Sequence, residues 1–158
     1  MDAQDLRRAL GRFSTGVTIV TCLDPQGQRI GLTANSFNAL SLDPPLVLWS
    51  LRLASSSLPA FRAADRYAIH VLSEAQVDLS RRFAGKADDK FAEGDWVMGE
   101  HGAPVLAGCA AVFECQTHGQ HEQGDHLLFV GRVLACSESA LPPLVYQAGH
   151  YHQLGASL

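Results

Sequence analysis

The sequence predicts a mainly β fold with short helices at its periphery. Runs of β-branched and aromatic residues recur along the chain, turns or short helices link them, and strands and helices do not alternate regularly. This pattern favours an antiparallel or mixed barrel over a doubly wound parallel sheet. The pattern alone does not distinguish one small barrel from another.

The first half of the chain is predicted to contain one helix and three strands. The helix begins at Asp2, which caps it, and Gly16 ends it. Leu6, Leu10 and Phe13 then lie on one helical face. The predicted strands span residues 17–23, about 29–37 and 46–51, and the Pro- and Gly-containing turn at 24–27 joins the first two into a hairpin.

The second half is predicted to begin with a helix over residues 58–64, preceded by three serines and carrying Pro59 in its first turn. A strand at 67–72 and a helix at 75–83 follow. Residues 85–108 are predicted to be irregular and contain both lysines of the chain, Lys86 and Lys90. The remaining predicted elements are two strands of a long hairpin, at 109–117 and 126–137, and a short strand or turn at 146–154.

Length and composition predict a single domain over residues 1–158. The chain is 47% hydrophobic, which is enough for a core. Its net charge is −4 and it has no run of Lys or Arg, which argues against nucleic-acid binding. No apolar run is long enough to span a bilayer, and the acidic, polar start lacks the pattern of a secretion signal. We therefore expect a cytoplasmic protein without a membrane segment.

The four cysteines are predicted to be free thiols. Cys22, Cys109, Cys115 and Cys136 include no C-x-x-C pair, and free thiols are usual in the cytosol. We expect each of them to pack as a small apolar residue.

The segment from Gly31 to Val47 is the most informative part of the sequence. It leaves an apolar strand, crosses small and polar residues and enters the next strand at Pro44-Pro45. Small residues allow a ligand to approach the backbone, and Thr, Asn and Ser supply hydrogen-bonding groups. No strongly nucleophilic, acidic or metal-binding side chain lies between Gly31 and Leu42. The segment is therefore suited to holding a polar organic cofactor that brings its own chemistry.

Common catalytic motifs are absent from the sequence. It contains no G-x-G-x-x-G, no phosphate loop that ends in Gly-Lys-Ser or Gly-Lys-Thr, and no G-x-S-x-G. These absences argue against a Rossmann nucleotide site, a kinase or NTPase and an ordinary serine hydrolase.

The histidines allow two interpretations. His118, His121 and His126 are close in sequence and could form a mononuclear metal site. However, His118 and His121 are predicted to lie at a polar hairpin tip, where histidines usually bind no metal. His126 opens a strand after Gly124-Asp125 and can point back into the fold, as a site residue or as a structural histidine with one satisfied hydrogen bond.

The three consecutive serines offer a possible anion site. Hydroxyl and backbone N–H groups at a helix N-terminus can hold a phosphate, although simple capping needs only one of Ser55, Ser56 and Ser57. Arg82 or Lys90 could balance a phosphate or stack on a heterocycle, although such charges are mostly solvated surface groups.

Together, these segments resemble the flavin reductase-like proteins with the FMN-binding split β-barrel fold. The resemblance extends from about Leu6 to Leu154, and its specificity lies in the joint order of short matches. The matching segments are Phe13-Ser14-Thr15-Gly16-Val17, Gly31-Leu32-Thr33-Ala34-Asn35-Ser36-Phe37, Ser41-Leu42-Asp43-Pro44-Pro45-Leu46-Val47, Val71-Leu72-Ser73, Arg82-Phe83-Ala84, Asp89-Lys90-Phe91, Pro104-Val105-Leu106, Gly124-Asp125-His126 and Gly149-His150-Tyr151-His152.

The resemblance implies roles for individual residues. The flavin ring and ribityl chain would be held by Thr33, Ala34, Asn35 and Ser36, with Ser50 and Leu51 lining the same pocket. Ser55, Ser56 and Ser57 would bind the flavin phosphate. Arg82, Phe83 and Lys90 would close over the phosphate side or the adenylate of FAD. His126 would lie near the ring where the nicotinamide stacks, as the catalytic residue, and Tyr151 would line the same cleft.

The resemblance also implies an activity and partners. Such proteins transfer hydride from NADH or NADPH to FMN or FAD, and many supply reduced flavin to a separate monooxygenase. They are typically homodimers. His150 stands where many relatives carry an arginine, which affects expectations about NADH against NADPH. The alternative is a flavin- or haem-binding carrier or sensor on the same barrel, because a fold does not determine a function.

Overall fold

Strands dominate the structure, as the β-branched runs of the sequence predict. The computed structural model describes all 158 residues. Its helices are α1 (Ala3–Leu10), α2 (Leu58–Ala63) and α3 (Val77–Ala84), with 3-10 turns at Glu74–Gln76 and Lys90–Ala92. Its strands are β1 (Thr15–Gly16), β2 (Thr18–Leu23), β3 (Arg29–Ala34), β4 (Asn38–Leu42), β5 (Pro45–Arg52), β6 (Arg66–Val71), β7 (Trp96–Met98), β8 (Pro104–Leu106), β9 (Ala111–Gln123), β10 (His126–Glu138), β11 (Val145–Gln147) and β12 (His150–His152).

Seven strands form the main sheet, in the order β3-β2-β6-β9-β10-β5-β4. Every pairing in it is antiparallel. A second sheet has the order β1-β11-β12, and β7 pairs with β8 alone. The absence of parallel pairs confirms the expected antiparallel, mainly β architecture with short peripheral helices.

Two cores explain why the central strands are apolar at consecutive positions. In β2, Val20 and Cys22 belong to one buried cluster and Ile19 belongs to another. Successive side chains of a strand point to opposite faces of its sheet, so a strand covered on both faces is apolar throughout. In the first cluster Trp49 stacks on Phe129 with ring centroids 4.5 Å apart. The second cluster contains Phe83, which packs edge-on against Phe91 beside the site described below.

The first helix is shorter than predicted. α1 ends at Leu10 and is capped by Gly11, whereas Gly16 lies in β1. None of its residues is buried, and Phe13, which follows the helix, is 79% exposed. The apolar face that the spacing predicts is therefore present, but no part of this chain covers it.

The structure also corrects several strand assignments. β4 was not predicted, since all five of its residues are at least partly exposed and it carries no apolar core pattern. The stretch 85–108 contains β7 and β8, which are only three residues long. The predicted strand near 29–37 ends at Ala34. The long hairpin extends over β9 and β10 and turns at Gly124-Asp125, so His118 and His121 lie within β9 and not at the tip.

The cysteine prediction is partly corrected. All four cysteines are free, and Cys22, Cys109 and Cys115 are buried. Cys136 is exposed, because it lies where β10 extends beyond the core. No helix of the structure has both the length and the apolarity needed to cross a bilayer.

Candidate functional site

A cavity of about 700 Å³ lies between the ends of β3 and β5, the N-terminus of α2 and the segment that follows α3. This volume is within the range typical of small-molecule sites. Twelve of the residues predicted for the site line this cavity, namely Thr33, Ala34, Asn35, Ser36, Ser50, Leu51, Ser55, Ser56, Ser57, Phe83, Lys90 and His126. Arg82 and Tyr151 do not line it.

Two hydroxyl groups fix the wall formed by the end of β3 and the loop that follows. The Thr33 hydroxyl donates to the backbone carbonyl of Ser80 in α3, at 2.7 Å. The Ser36 hydroxyl donates to the carbonyl of Ser50 and accepts from its amide, both at 3.0 Å. Asn35, between these anchors, is exposed and its side chain makes no hydrogen bond within the protein. The loop thus presents an unused amide group to the cavity.

The serine run is not consumed by helix capping. Ser57 precedes α2, but its side chain makes no capping hydrogen bond, and the only contact within the run joins the Ser57 amide to the Ser55 hydroxyl at 3.3 Å. The hydroxyl groups of Ser56 and Ser57 therefore have no protein partner. Local hydrogen bonding to the backbone therefore accounts for Ser55 alone and not for Ser56 and Ser57.

Both lysines of the chain line the cavity, and neither has a carboxylate partner. The Lys90 ammonium group donates to the carbonyls of Phe83, at 2.9 Å, and Gly31, at 3.3 Å. Burial lowers the pKa of Lys90, because desolvation disfavours its charged form. Two lysines without carboxylate partners, beside free hydroxyl groups, make this part of the cavity suited to an anion.

His126 is positioned by its neighbour in the sequence. Its Nδ1 lies 2.6 Å from the carboxylate of Asp125, which makes Nδ1 the protonated nitrogen and leaves Nε2 available. The hydrogen bond to His126, followed by the charge of that ring, lowers the pKa of Asp125. The Asp125 carbonyl also accepts from the amide of Leu53 at 2.9 Å. The hairpin turn therefore joins the segment that leads to the serines.

Arg82 and Tyr151 have other surroundings. The Arg82 guanidinium donates to the carbonyls of Lys90, at 3.0 Å, and Asp89, so it holds the segment that carries Lys90. The Tyr151 hydroxyl lies 2.6 Å from that of Ser80. Its ring lines a neighbouring cavity of about 180 Å³, which shares four lining residues with the main one, namely Thr33, Ala34, Asn35 and Ala84.

The clustered histidines are not gathered into one site. His118 falls at a bulge in β9, between the pairs Gly119–Val130 and Thr117–Gly131, while His121 pairs with Leu128. Only His126 lines the cavity. No group of three or more His, Cys, Asp or Glu side chains in the structure is arranged to hold a metal ion.

The sequence analysis missed several residues that line the cavity. They are Leu32, Arg52, Ala54, Ala84, Gly85 and Lys86. A usable signal existed for Lys86, since the chain has only two lysines and they lie four residues apart. Arg52, at the end of β5, had no distinguishing signal in the sequence.

Comparison with known proteins identifies the family. The family model described as "Flavin reductase like domain" matches residues 10–155. The chain belongs to the flavin reductase-like family. It is 46% identical to FMN reductase (NADH) SmoA of Agrobacterium fabrum. The match extends over 152 residues, which are 95% of this chain and 85% of that protein. It is also 45% identical to the stachydrine N-demethylase reductase subunit Stc3 of Rhizobium meliloti. That match extends over 150 residues, which are 95% of this chain and 65% of the relative.

A solved structure supports the same conclusion about the fold. The Streptomyces globisporus NADH:FAD oxidoreductase SgcE6, in complex with NAD and FAD fragments, superposes with a TM-score of 0.92 at 37% identity, over 98% of this chain and 93% of that one. This similarity confirms the split β-barrel expected from the sequence. The chain spans only 65% and 48% of the lengths of two Rhizobium meliloti relatives, so those proteins are considerably longer.

Proposed function

We propose that this member of the family is an NAD(P)H-dependent flavin reductase that binds FMN or FAD in the 700 Å³ cavity. The observation that carries the proposal is the combination, around one cavity, of a small-residue loop, free serine hydroxyls and two lysines that have no carboxylate partner. A flavin nucleotide needs these features, because it joins a planar heterocycle to a phosphate. When bound, the flavin supplies the redox chemistry that accepts hydride from a reduced nicotinamide.

The neighbouring cavities indicate how such a ligand is oriented. Ser56, Ser57, Lys86 and Lys90 also line a second cavity, at one end of the main one. Thr33, Ala34 and Asn35 adjoin the small cavity lined by Tyr151. We therefore assign the phosphate to the serine and lysine end, and the ring and ribityl chain to the β3 end. Hydroxyl groups and ammonium groups bind the anion, while Asn35 donates and accepts at the polar edge of the ring.

His126 and its neighbours act on the nicotinamide side of this proposal. The imidazole is held through Nδ1 by Asp125, so it would line the side of the cavity where the nicotinamide binds and keep its Nε2 free for a hydrogen bond. A fixed imidazole would restrict the orientation of a nicotinamide that stacks on the flavin. Holding two rings at near-attack distance is an effective contribution to the rate, and no protein nucleophile is required.

The names of the relatives support the donor and the partner in this proposal. SmoA is named an FMN reductase (NADH) and SgcE6 an NADH:FAD oxidoreductase, so we propose NADH as a donor. Stc3 is named a reductase subunit of an N-demethylase. A flavin-dependent oxygenase that receives reduced flavin is therefore the proposed partner.

We further propose a homodimer in the cytoplasm, with residues 1–158 forming one flavin reductase-like domain. The exposed apolar face of α1 supports dimerisation, since Leu6, Leu10 and Phe13 are 41%, 64% and 79% exposed in the single chain. Four free cysteines are compatible with a reducing compartment. Sedimentation of the wild-type chain and of the Leu10→Glu variant tests this proposal. We expect the wild type to sediment as a dimer and the variant as a monomer, and a monomeric wild type would contradict the proposal.

The flavin site is tested by a double variant. Asn35→Ala with Ser56→Ala removes two ligand-facing groups that make no hydrogen bond within the protein, so folding is preserved. We expect flavin binding to weaken by roughly 1–3 kcal/mol, as calorimetric titration would measure. The control is Ser14→Ala, outside the cavity. Unchanged flavin affinity in the double variant would refute this assignment of the site.

A further inference from the structure

Arg52 lines the main cavity, yet the assignment of the flavin gives it no role. It is the last residue of β5, and its side chain is exposed. The two lysines and two of the serines that are assigned to the flavin phosphate also line the second cavity, whereas Arg52 does not. Arg52 is therefore a further positive charge of the main cavity, outside the group of residues that marks its phosphate end.

The pairing of β5 with β10 places Arg52 beside His126. The two residues lie directly opposite each other in the antiparallel register, and both line the main cavity. Directly opposite residues project to the same face of a sheet, with Cβ atoms about 4.5–5.5 Å apart. The amide of Leu53 donates to the Asp125 carbonyl at 2.9 Å, which continues the pairing one residue further. The Arg52 side chain therefore starts from a fixed backbone, on the side of the cavity that is assigned to the nicotinamide.

The charges around Arg52 favour an anionic ligand. Its guanidinium takes part in none of the five salt bridges of the structure. The carboxylate of Asp125 is bonded instead to Nδ1 of His126. No Asp or Glu lines the main cavity, so an anion beside Arg52 meets no carboxylate in the cavity wall. An exposed arginine is ordinarily a solvated surface group, and it is the position opposite His126 that indicates a ligand here.

We propose that Arg52 binds the pyrophosphate of the hydride donor, NADH or NADPH. This proposal rests on the proposed function, because it takes the flavin phosphate to lie at the serine and lysine end and the nicotinamide to stack beside His126. In both donors the pyrophosphate is one ribose away from the nicotinamide, whereas the 2′-phosphate of NADPH lies beyond it, on the other ribose. A long side chain next to His126 can reach the nearer group, and a planar guanidinium can bind it through two parallel hydrogen bonds.

The experiment compares three hydride donors, namely NADH, NADPH and 1-benzyl-1,4-dihydronicotinamide, which contains the reacting ring but no phosphate. Each donor is mixed anaerobically, over a range of concentrations, with the flavin-loaded full chain as wild type, Arg52→Ala, Arg52→Lys and Arg62→Ala. Arg62→Ala is the matched control, because it removes the same charge from an exposed arginine whose partner is Glu122, outside the main cavity. Urea unfolding and calorimetric titration of the flavin verify the fold and the flavin affinity of each form.

The pyrophosphate takes no part in hydride transfer, so its contact with Arg52 contributes equally to the ground state and the transition state. Arg52→Ala should therefore weaken the apparent affinity for NADH and for NADPH by the same factor, about tenfold, and leave the maximal rate of flavin reduction and the flavin affinity unchanged. Arg52→Lys should lose less, because it retains the charge without the planar fork. The phosphate-free donor should react equally fast with all four forms, and Arg62→Ala should match the wild type with every donor.

Other results would overturn the proposed role of Arg52. A loss with all three donors would show that Arg52 acts on the placement of the reacting rings, and a loss with NADPH alone would assign it to the 2′-phosphate. Unchanged affinity of Arg52→Ala for NADH, or weaker binding of the flavin itself, would likewise contradict the pyrophosphate contact. All of these results leave the reductase proposal intact. A wild type whose bound flavin is reduced by none of the three donors would instead contradict the proposed function.

Discussion

The Ser36 hydroxyl and the backbone of Ser50 form a reciprocal pair, in which the hydroxyl donates to the carbonyl and accepts from the amide at 3.0 Å each. This pair joins the loop after β3 to β5 across the cavity wall. Ser36 therefore uses its hydroxyl within the fold, whereas the hydroxyl of Ser56 has no protein partner. Replacing Ser36 is therefore expected to lower the free energy of unfolding, whereas replacing Ser56 is not.

Ser36→Ala should destabilise the fold by about 1–3 kcal/mol, because the amide N–H of Ser50 loses its acceptor in a partly buried position. Urea unfolding measures this loss. Ser56→Ala is the control and should leave the unfolding free energy within about 0.5 kcal/mol of the wild type. Equal stability of the two variants would contradict the structural role of Ser36.

Gly31→Ala should destabilise the fold by about 1–3 kcal/mol through overpacking. A Cβ atom at this position would lie 2.7 Å from a ring carbon of Phe83 and 3.2 Å from one of Phe91, and both rings are buried. Gly16→Ala is the matched control, since a Cβ atom there would meet nothing within 4 Å. Thermal unfolding should show a Tm below that of the wild type for Gly31→Ala but not for Gly16→Ala. A similar Tm for both variants would show that the Phe83 and Phe91 rings move aside without cost, and would contradict the prediction.

The buried His70 should make stability depend on pH below neutrality. Its Nδ1 lies 2.8 Å from the Ile19 carbonyl, its Nε2 has no partner beside the Trp96 ring, and burial lowers its pKa from 6.5 to about 4. The unfolded chain therefore binds a proton below pH 6.5 that the folded chain does not bind. The stability contributed by this histidine is complete above pH 6.5 and falls by about 3 kcal/mol as the pH drops to 4.

His70→Leu tests this pH dependence. The variant loses one hydrogen bond at every pH, so the informative quantity is the change in unfolding free energy between pH 7 and pH 4.5. That change should be smaller in His70→Leu than in the wild type, since carboxyl groups titrate equally in both. The same change in the two proteins would show that His70 does not titrate on unfolding.

His126→Ala should slow reduction of bound flavin about tenfold or more while changing flavin affinity little. Without the imidazole the nicotinamide is held less precisely against the flavin, and hydride transfer is slower when the two rings are misaligned. Stopped-flow reduction and calorimetric binding separate the two effects. Asp125→Asn is the companion variant, whose amide oxygen can still accept from Nδ1 of His126, and it should retain most of the rate. A normal rate in His126→Ala would remove this residue from the catalytic role.

The sequence predicted the parts of the fold that carry a buried pattern. The strands β2, β5 and β6 have apolar side chains because cores cover them, and their positions were confirmed. β4 has no buried residue, and the far end of β9 is polar because it extends beyond the core. Polar strands of this kind resemble loops in sequence, which is why His121 was wrongly expected at the hairpin tip.

The candidate site was predictable where it is contiguous in the chain. The segments 33–36 and 55–57 both line the cavity as whole units. The prediction failed in part at Arg82 and Phe83, because adjacent residues on a helix point in different directions. Phe83 lines the cavity, whereas Arg82 donates to the carbonyl of Lys90. Such a difference depends on the rotation of α3 against the sheet, which local sequence does not specify.

Anaerobic reduction of the flavin-loaded protein tests the central claim most directly. The purified chain is loaded with FMN or FAD, freed of excess flavin, and mixed first with NADH and then with NADPH while the flavin absorbance is recorded. The account predicts bleaching within seconds with NADH. Flavin bands that persist with both donors would contradict the reductase and indicate a flavin-binding carrier on the same barrel.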